Sequence, residues 1–203
     1  MEIDKIADEL PGYTYGAQTV PPSPVTLRQL DELKTTVGFA EEDERFLKLA
    51  GEVLADQTEQ IVNCWRSDII AKIPNLARHS RSLDGETPPK YLAQSNLRFR
   101  QWILDTCLRP YDQDWLNYQH ETALRHTSLK KNKVDEVTST THVPFRDITA
   151  FVAVMNYTMK TFLSAKGRQS SDVDGMHRAW CKSIQLQLAL WAYPYSAEVE
   201  GEW

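Results

Sequence analysis

The chain carries five histidines, His79, His120, His126, His142 and His177. No two of them stand three or four residues apart, so no helical turn presents a histidine pair to a metal ion. Gly-rich phosphate loops, a nucleophile elbow, His-Glu-x-x-His and the Glu-x-x-His pairs of di-iron bundles are also missing from the sequence. The spacing still leaves a lone axial ligand open, and His126 is a candidate for it. It falls in register with Gln119, Thr122 and Ala123 on an uncharged helical face, while Glu121, Arg125 and Lys130 lie elsewhere. Such a platform of small residues suits a flat ligand. The competing reading is a histidine interacting with the negative end of its helix, worth a few tenths to about 1 kcal/mol. His120 faces away from His126 and reads as a surface or partly buried residue, and His142 and His177 have polar neighbours. Cys64, Cys107 and Cys181 are odd in number and widely spaced with no Cys-x-x-Cys pair, which reads as reduced, mostly buried thiols.

The elements that must position these groups are helices. Apolar residues recur at three and four, with few alternating stretches, so the fold class expected is all-α. Residues 1–25 contain Pro11, Gly12, Gly16, Pro21, Pro22 and Pro24 and form an irregular arm. Thr26 is a plausible N-cap for a helix through about Val37, and Ala40-Glu41-Glu42-Asp43 opens another. From Phe46 to about Ile70 the residues Phe46, Leu49, Ala50, Val53, Leu54, Ile61, Cys64 and Trp65 predict one long amphipathic helix, interrupted in polarity at Gln57. The stretch Ser80 to Pro89 is a loop, and a second long helix runs from Pro89 to Cys107. A shorter helical segment, Asp112 to Ser128, carries His126 and leads into a solvated polar loop, Lys130 to Thr141. Phe145 to Ala165 is strongly periodic with Gly167 at its C-terminal cap, and the last helix is capped by Ser171 or Asp172 and runs to Trp191. Tyr193-Pro194-Tyr195 stops it. The organisation expected is an arm over 1–25, one helical domain over 26–195 and an acidic tail over 196–203. Phe99, Phe151, Met155, Trp65 and Trp102 recur on helical faces, and on spacing alone they read as core.

At 203 residues the chain is long enough to bury a sizeable core. Its net charge of −5, with acidic and basic residues interspersed, argues against a nucleic-acid footprint, and the short basic run at Lys130-Lys131-Asn132-Lys133 does not change that. No run approaches the roughly 18 to 20 apolar residues of a membrane span, and the N-terminus is acidic where a secretory signal is basic. A cytoplasmic protein with no membrane contact is expected.

One stretch stops being anonymous. Trp102-Ile103-Leu104-Asp105-Thr106, then Arg109, Tyr111-Asp112-Gln113, Trp115-Leu116, Tyr118-Gln119 and Leu124-Arg125-His126 before Lys130-Lys131-Asn132 closely resemble the protoglobins. Pro11-Gly12-Tyr13-Thr14-Tyr15-Gly16, Ala50-Gly51-Glu52-Val53-Leu54 with Asp56-Gln57, and Leu188-Ala189-Leu190-Trp191 with Tyr193-Pro194-Tyr195 extend the likeness to both ends. Independent landmarks in one order are more specific than any single motif. The resemblance implies a globin-like fold with an extra N-terminal helix, an arm that helps bury the cofactor, and haem b as that cofactor. It implies that His126 is the proximal ligand to iron, with its second ring nitrogen held by an acceptor such as the Thr122 carbonyl or Thr122 itself. It assigns Trp65, Phe99, Phe151 and Met155 to the distal side, with Val143 joining from the loop. The sequence departs from the family where a tyrosine usually follows the tryptophan, because that residue is Arg66. Its guanidinium either lines the pocket, where burial without a partner costs several kcal/mol, or turns to a haem propionate or to solvent. Arg98 is a candidate propionate partner, or else a solvated helix charge.

Three functions follow from this reading. The first is reversible binding of O2, CO or NO for sensing, storage or scavenging. The second is a haem enzyme acting on NO, nitrite or peroxide, for which no distal histidine is assignable in the sequence. The third is a helical regulatory module without haem. The resemblance also implies a homodimer through the last two long helices, and Phe162, Trp180 and Leu188 are candidates either for that face or for the core.

Overall fold

The computed structural model describes residues 10–82, 84–86 and 88–196, and among these every regular element is helical, with no strand. Residues 1–9 and 197–203, which hold the start of the expected arm and nearly all of the expected acidic tail, lie outside the described residues. Among the described residues no helix is long and apolar enough to cross a membrane.

Helix α1, Leu27–Thr36, begins where the sequence predicts. The Thr26 hydroxyl accepts from the Gln29 backbone N–H and the Gln29 side chain accepts from the Thr26 N–H, so two otherwise unpaired donors are satisfied reciprocally. Helix α2, Glu41–Leu54, opens with four acidic residues at the positive end of its dipole. The third of these carboxylates, Asp43, is buried and accepts from the Ala40 N–H and from Lys182 at 2.9 Å.

The single helix expected from Phe46 to Ile70 is instead divided. Helix α2 stops at Leu54, α3 spans Thr58–Asn63, and a π-helical turn over Cys64–Ile69 passes into a 3-10 turn at Ile70–Lys72. The cause is the polar Gln57, whose side-chain amide donates to the Val53 carbonyl at 2.7 Å and to the Phe162 carbonyl at 3.2 Å. Gln57 thereby occupies a carbonyl at the helix end and ties the break to the facing helix.

A short turn, α4 at Pro74–Ala77, and a 3-10 turn at Arg78–Ser80 lead to α5, Pro89–Leu108. Helix α6, Gln113–Leu124, is capped by Asp112, whose carboxylate accepts from the Trp115 N–H at 2.9 Å. Helix α7 spans Phe145–Ser164 and α8 spans Ser170–Trp191. The expected cap of α8 at Ser171 or Asp172 is corrected: Gln169 is the cap residue, and its carbonyl receives the N–H groups of Asp172 and Val173. Asp172 acts within the first turn, through the dipole rather than as a cap. Ala192 interrupts the end of α8, and Tyr193–Ser196 forms one further turn, α9.

The main core joins α2, α3, α5, α7 and α8. Gly175 lets the Phe46 ring lie against α8, and Gly51 lets Leu108 of α5 lie against α2. A smaller cluster of Val25, Leu30, Trp115, Leu116 and Leu190 seats α1 on α6 and α8. Two of the buried tryptophans are hydrogen-bonded across elements. The Trp102 Nε1–H donates to Gln187 at 2.8 Å and the Trp191 Nε1–H to Gln119 at 2.9 Å. Of the residues named as either dimer face or core, Trp180 is fully buried and Leu188 is buried, so both are core, while Phe162 is partly exposed. An all-helical pack with one helix ahead of the main body matches the globin-like architecture expected.

Candidate functional site

Helices α5, α6 and α7 and the chain between α3 and α5 enclose a cavity of about 290 Å3. Its apolar wall is built by Phe99, Trp102, Val143, Ile148, Phe151 and Met155. His126, Arg66 and Arg98 also line it. Trp65 does not reach the cavity surface. It is fully buried behind the wall, 5.2 Å from the Phe99 ring and 6.4 Å from the Phe151 ring by centroids, and its Nε1–H donates to Thr158 at 2.8 Å.

His126 lies just past the C-terminal cap of α6, with its own N–H bonded to the Ala123 carbonyl. Its Nδ1 is 2.8 Å from the Thr122 carbonyl. A carbonyl can only accept, so Nδ1 carries the proton and Nε2 keeps its lone pair. The ring stacks on Trp191 at 5.9 Å and 22°. The backbone carbonyl of His126 accepts from the Val143 N–H at 2.7 Å and from the Tyr195 hydroxyl at 3.3 Å. Burial lowers the pKa of His126, against the opposing bond to Thr122. The result is a neutral, oriented imidazole at a cavity wall, the state in which histidine ligates a metal. Among the described residues no three His, Cys, Asp or Glu gather as a cation site, so a metal at His126 would have to bring other ligands with it.

The π-helical turn carries Trp65 into the core and Arg66 to the cavity on consecutive residues. Arg66 donates to Ser80 at 3.2 Å and Ser95 at 2.8 Å, and its guanidinium sits 5.2 Å from the centre of the Phe99 ring. Arg98 is not a solvated helix charge. It pairs with Asp135 at 2.6 Å and donates to the Pro11 carbonyl at 2.7 Å, so its charge is already met within the chain.

The loop expected to be solvated, Lys130 to Thr141, is corrected. It covers the cavity. Lys131, Asn132, Val134 and Asp135 line the void, and Ser139 is buried. Lys131 donates to the His79 carbonyl at 3.2 Å and to Asn132 at 3.1 Å, and burial pushes its pKa down to about 8. The loop folds back on itself, Asn132 donating to the Ser139 and Thr140 carbonyls, and Lys131 ties it to the His79 carbonyl.

His79 is the site residue the sequence did not announce. It is buried at the cavity wall, with Nε2 3.3 Å from Asp147 and Nδ1 2.8 Å from the Thr140 hydroxyl. Burial lowers its pKa, opposed by the Asp147 bond, so the ring is neutral, donating to Asp147 and accepting from Thr140. Both nitrogens are therefore engaged. No spacing rule marks it, because its partners lie 61 and 68 residues away.

The N-terminal arm is laid across this region. Arg125 donates to the Gly12 carbonyl at 2.7 Å and to Thr14 at 2.8 Å, and Tyr13 donates to the buried Asp105 at 2.7 Å. Gly12 has φ +75°, and a Cβ there would stand 2.6 Å from Val134, so arm and loop meet at a point only glycine fits. Beneath them the buried Glu121 accepts from Arg125 at 2.9 Å and from Lys130.

The model of one protein family, Protoglobin, matches residues 26–200. No curated protein matches the chain.

Proposed function

The chain belongs to the protoglobin family, and from that premise we propose that it binds haem b through His126 and takes up diatomic gases reversibly. The observation that carries the reading is His126 itself, neutral, fixed by the Thr122 carbonyl through one nitrogen and offering the other at an apolar cavity. Haem held there through His126 would supply a ferrous iron that takes up O2, CO or NO.

The residues present suit such a group. Phe99, Val143, Phe151 and Met155 supply its apolar surroundings, with Trp65 holding Phe99 and Phe151 from behind. Lys131 holds its charge in the cavity wall with only neutral partners, which makes it a better partner for a haem propionate than Arg98, already paired with Asp135. None of the three cysteines lines the cavity, which favours noncovalent attachment and hence haem b. The described part of the arm, residues 10–25, acts with the helical domain to exclude water, through Arg125 and Arg98. His79 has no free nitrogen to move a proton at a ligand, which favours binding over acid–base catalysis. A cytoplasmic homodimer through α7 and α8 belongs to the same reading. Tyr157, 84% exposed on α7, is its best anchor.

The test is an absorption spectrum of the purified chain supplied with haemin, oxidised, reduced, and reduced under CO. Haem uptake with a CO-shifted Soret band is expected, altered or lost in His126→Ala. A chain that stays colourless, or an unchanged spectrum in His126→Ala, defeats the proposal.

A further inference from the structure

Arg66 is a partly buried cation without a counter-charge. Among the described residues no carboxylate lies within ion-pairing distance of it. Its two bonds go to neutral hydroxyls, Ser80 and Ser95, and its Nε is buried with no partner at all. Burial pushes its pKa down, Tyr91 opposes and Arg98 adds to the shift, yet a guanidinium stays protonated at neutral pH. The neighbourhood is rich in donors and poor in acceptors. The buried Nε–H has no acceptor, the Ser80 and Ser95 hydroxyls already accept from the guanidinium, and Phe99, Trp102 and Phe151 keep the local dielectric low. An uncompensated charge in such a place is costly, so an anion brought beside Arg66 would be stabilised there.

We propose that Arg66, with Ser80 and Ser95, forms a subsite for small monovalent anions of the azide and nitrite type, which selects anionic over neutral ligands in the cavity. The inference rests on the haem reading for its position next to the cofactor. The site itself is made by three side chains from three elements, the π-helical turn, the 3-10 turn before the loop and α5. A small anion is matched in charge by the Arg66 guanidinium and in hydrogen bonding by the Ser80 and Ser95 hydroxyls, with Phe99 and Phe151 beside it. A neutral ligand of similar size gains nothing from the charge.

The experiment is a spectrophotometric titration of the ferric haem-loaded protein with azide, nitrite and, as the neutral comparison, imidazole. Wild type, Arg66→Leu, Arg66→Lys and Ser95→Ala are compared at constant ionic strength. Arg66→Leu is expected to weaken azide and nitrite binding by about tenfold or more, since a hydrogen bond to a charged group is lost. Arg66→Lys recovers part of the affinity, and imidazole changes by less than about twofold. Equal azide affinity in wild type and Arg66→Leu overturns the proposal, as does parallel loss of azide and imidazole, which marks a collapsed cavity. Unchanged azide affinity with faster haem loss in Arg66→Leu assigns Arg66 to a propionate and also overturns it. The haem reading fails separately, by absence of the Soret band. The full chain without haem then decides the anion site, because nitrite must raise the melting temperature of wild type above that of Arg66→Leu by mass action, and equal shifts refute it.

Discussion

Replacing Glu121 by Gln tests how the arm, the loop and the His126 turn are held together. The Glu121 side chain is 5% exposed and accepts from Arg125, whose side chain is 16% exposed, and from Lys130, at 32%. Neutralising the carboxylate leaves two cations where one anion had served both. Breaking a buried pair by removing one partner costs about 3–5 kcal/mol. Lys130 can recover some hydration, so the lower end applies, about 3 kcal/mol. For a chain of this length each kcal/mol moves the melting temperature by about 2–4 °C, which gives a fall of about 6–12 °C. Arg125 also holds Gly12 and Thr14, so the variant should lose protection of the arm to limited proteolysis near Gly16 along with the fall in Tm. Glu52→Gln is the control, because its contact with Arg168 at 3.7 Å joins side chains 68% and 37% exposed and contributes little. A Glu121→Gln protein melting within 2 °C of Glu52→Gln, with its arm equally protected, refutes the argument that this carboxylate organises the site.

Gly175→Ala places a Cβ 2.4 Å from the Phe46 ring, and overpacking should cost about 1–3 kcal/mol in urea denaturation, relieved in the Gly175→Ala, Phe46→Leu double variant. A neutral Gly175→Ala would mean that α2 and α8 do not pack this closely. For pH, His79 is a base whose folded pKa lies below its unfolded value of about 6.5. The unfolded chain takes the proton first, so stability is complete above that value and is lost as pH falls below it. His126 and His120 shift in the same direction, so His79→Gln should reduce, not abolish, the loss of Tm between pH 6.5 and 5. Identical slopes in the two proteins contradict the burial argument.

The helices were legible where local chemistry closes on itself. Thr26 with Gln29 is a cap spanning three residues that the sequence places correctly, and Asp112, expected only as the start of its segment, caps α6 by the same spacing through the Trp115 N–H. The apolar periods of α5 and α7 gave ends within a residue or so of those found. The break at Gln57 was not legible, because Ile61, Cys64 and Trp65 stay in phase with the helix before it and the interruption is fixed by the Phe162 carbonyl, 105 residues away. The polar loop after α6 misled because it closes on itself and onto one distant carbonyl. Asn132 and Lys131 look like solvated residues until Ser139, Thr140 and the His79 carbonyl are brought against them. At the cavity, the apolar members announced themselves by helical spacing. His79 did not, since its segment has no period and its neutral state depends on burial supplied by distant elements.

The charge around the cavity runs against that of the chain. The protein is net negative at −5, yet Arg66, Arg98, Arg125, Lys130 and Lys131 line the void against only Asp135 and Asp147. Pairing accounts for most of this excess. Arg98 takes Asp135, Glu121 serves both Arg125 and Lys130, and Asp147 is occupied by His79 and Arg78. Arg66 and Lys131 remain with neutral partners only, one from the π-helical turn and the other from the loop beyond His126. A wholly apolar occupant would leave both cations desolvated and uncompensated, at a cost of several kcal/mol each. The cavity is therefore matched to an apolar body that carries negative charge, and the haem and small anion proposed above would meet both cations where a neutral hydrophobic ligand would meet neither.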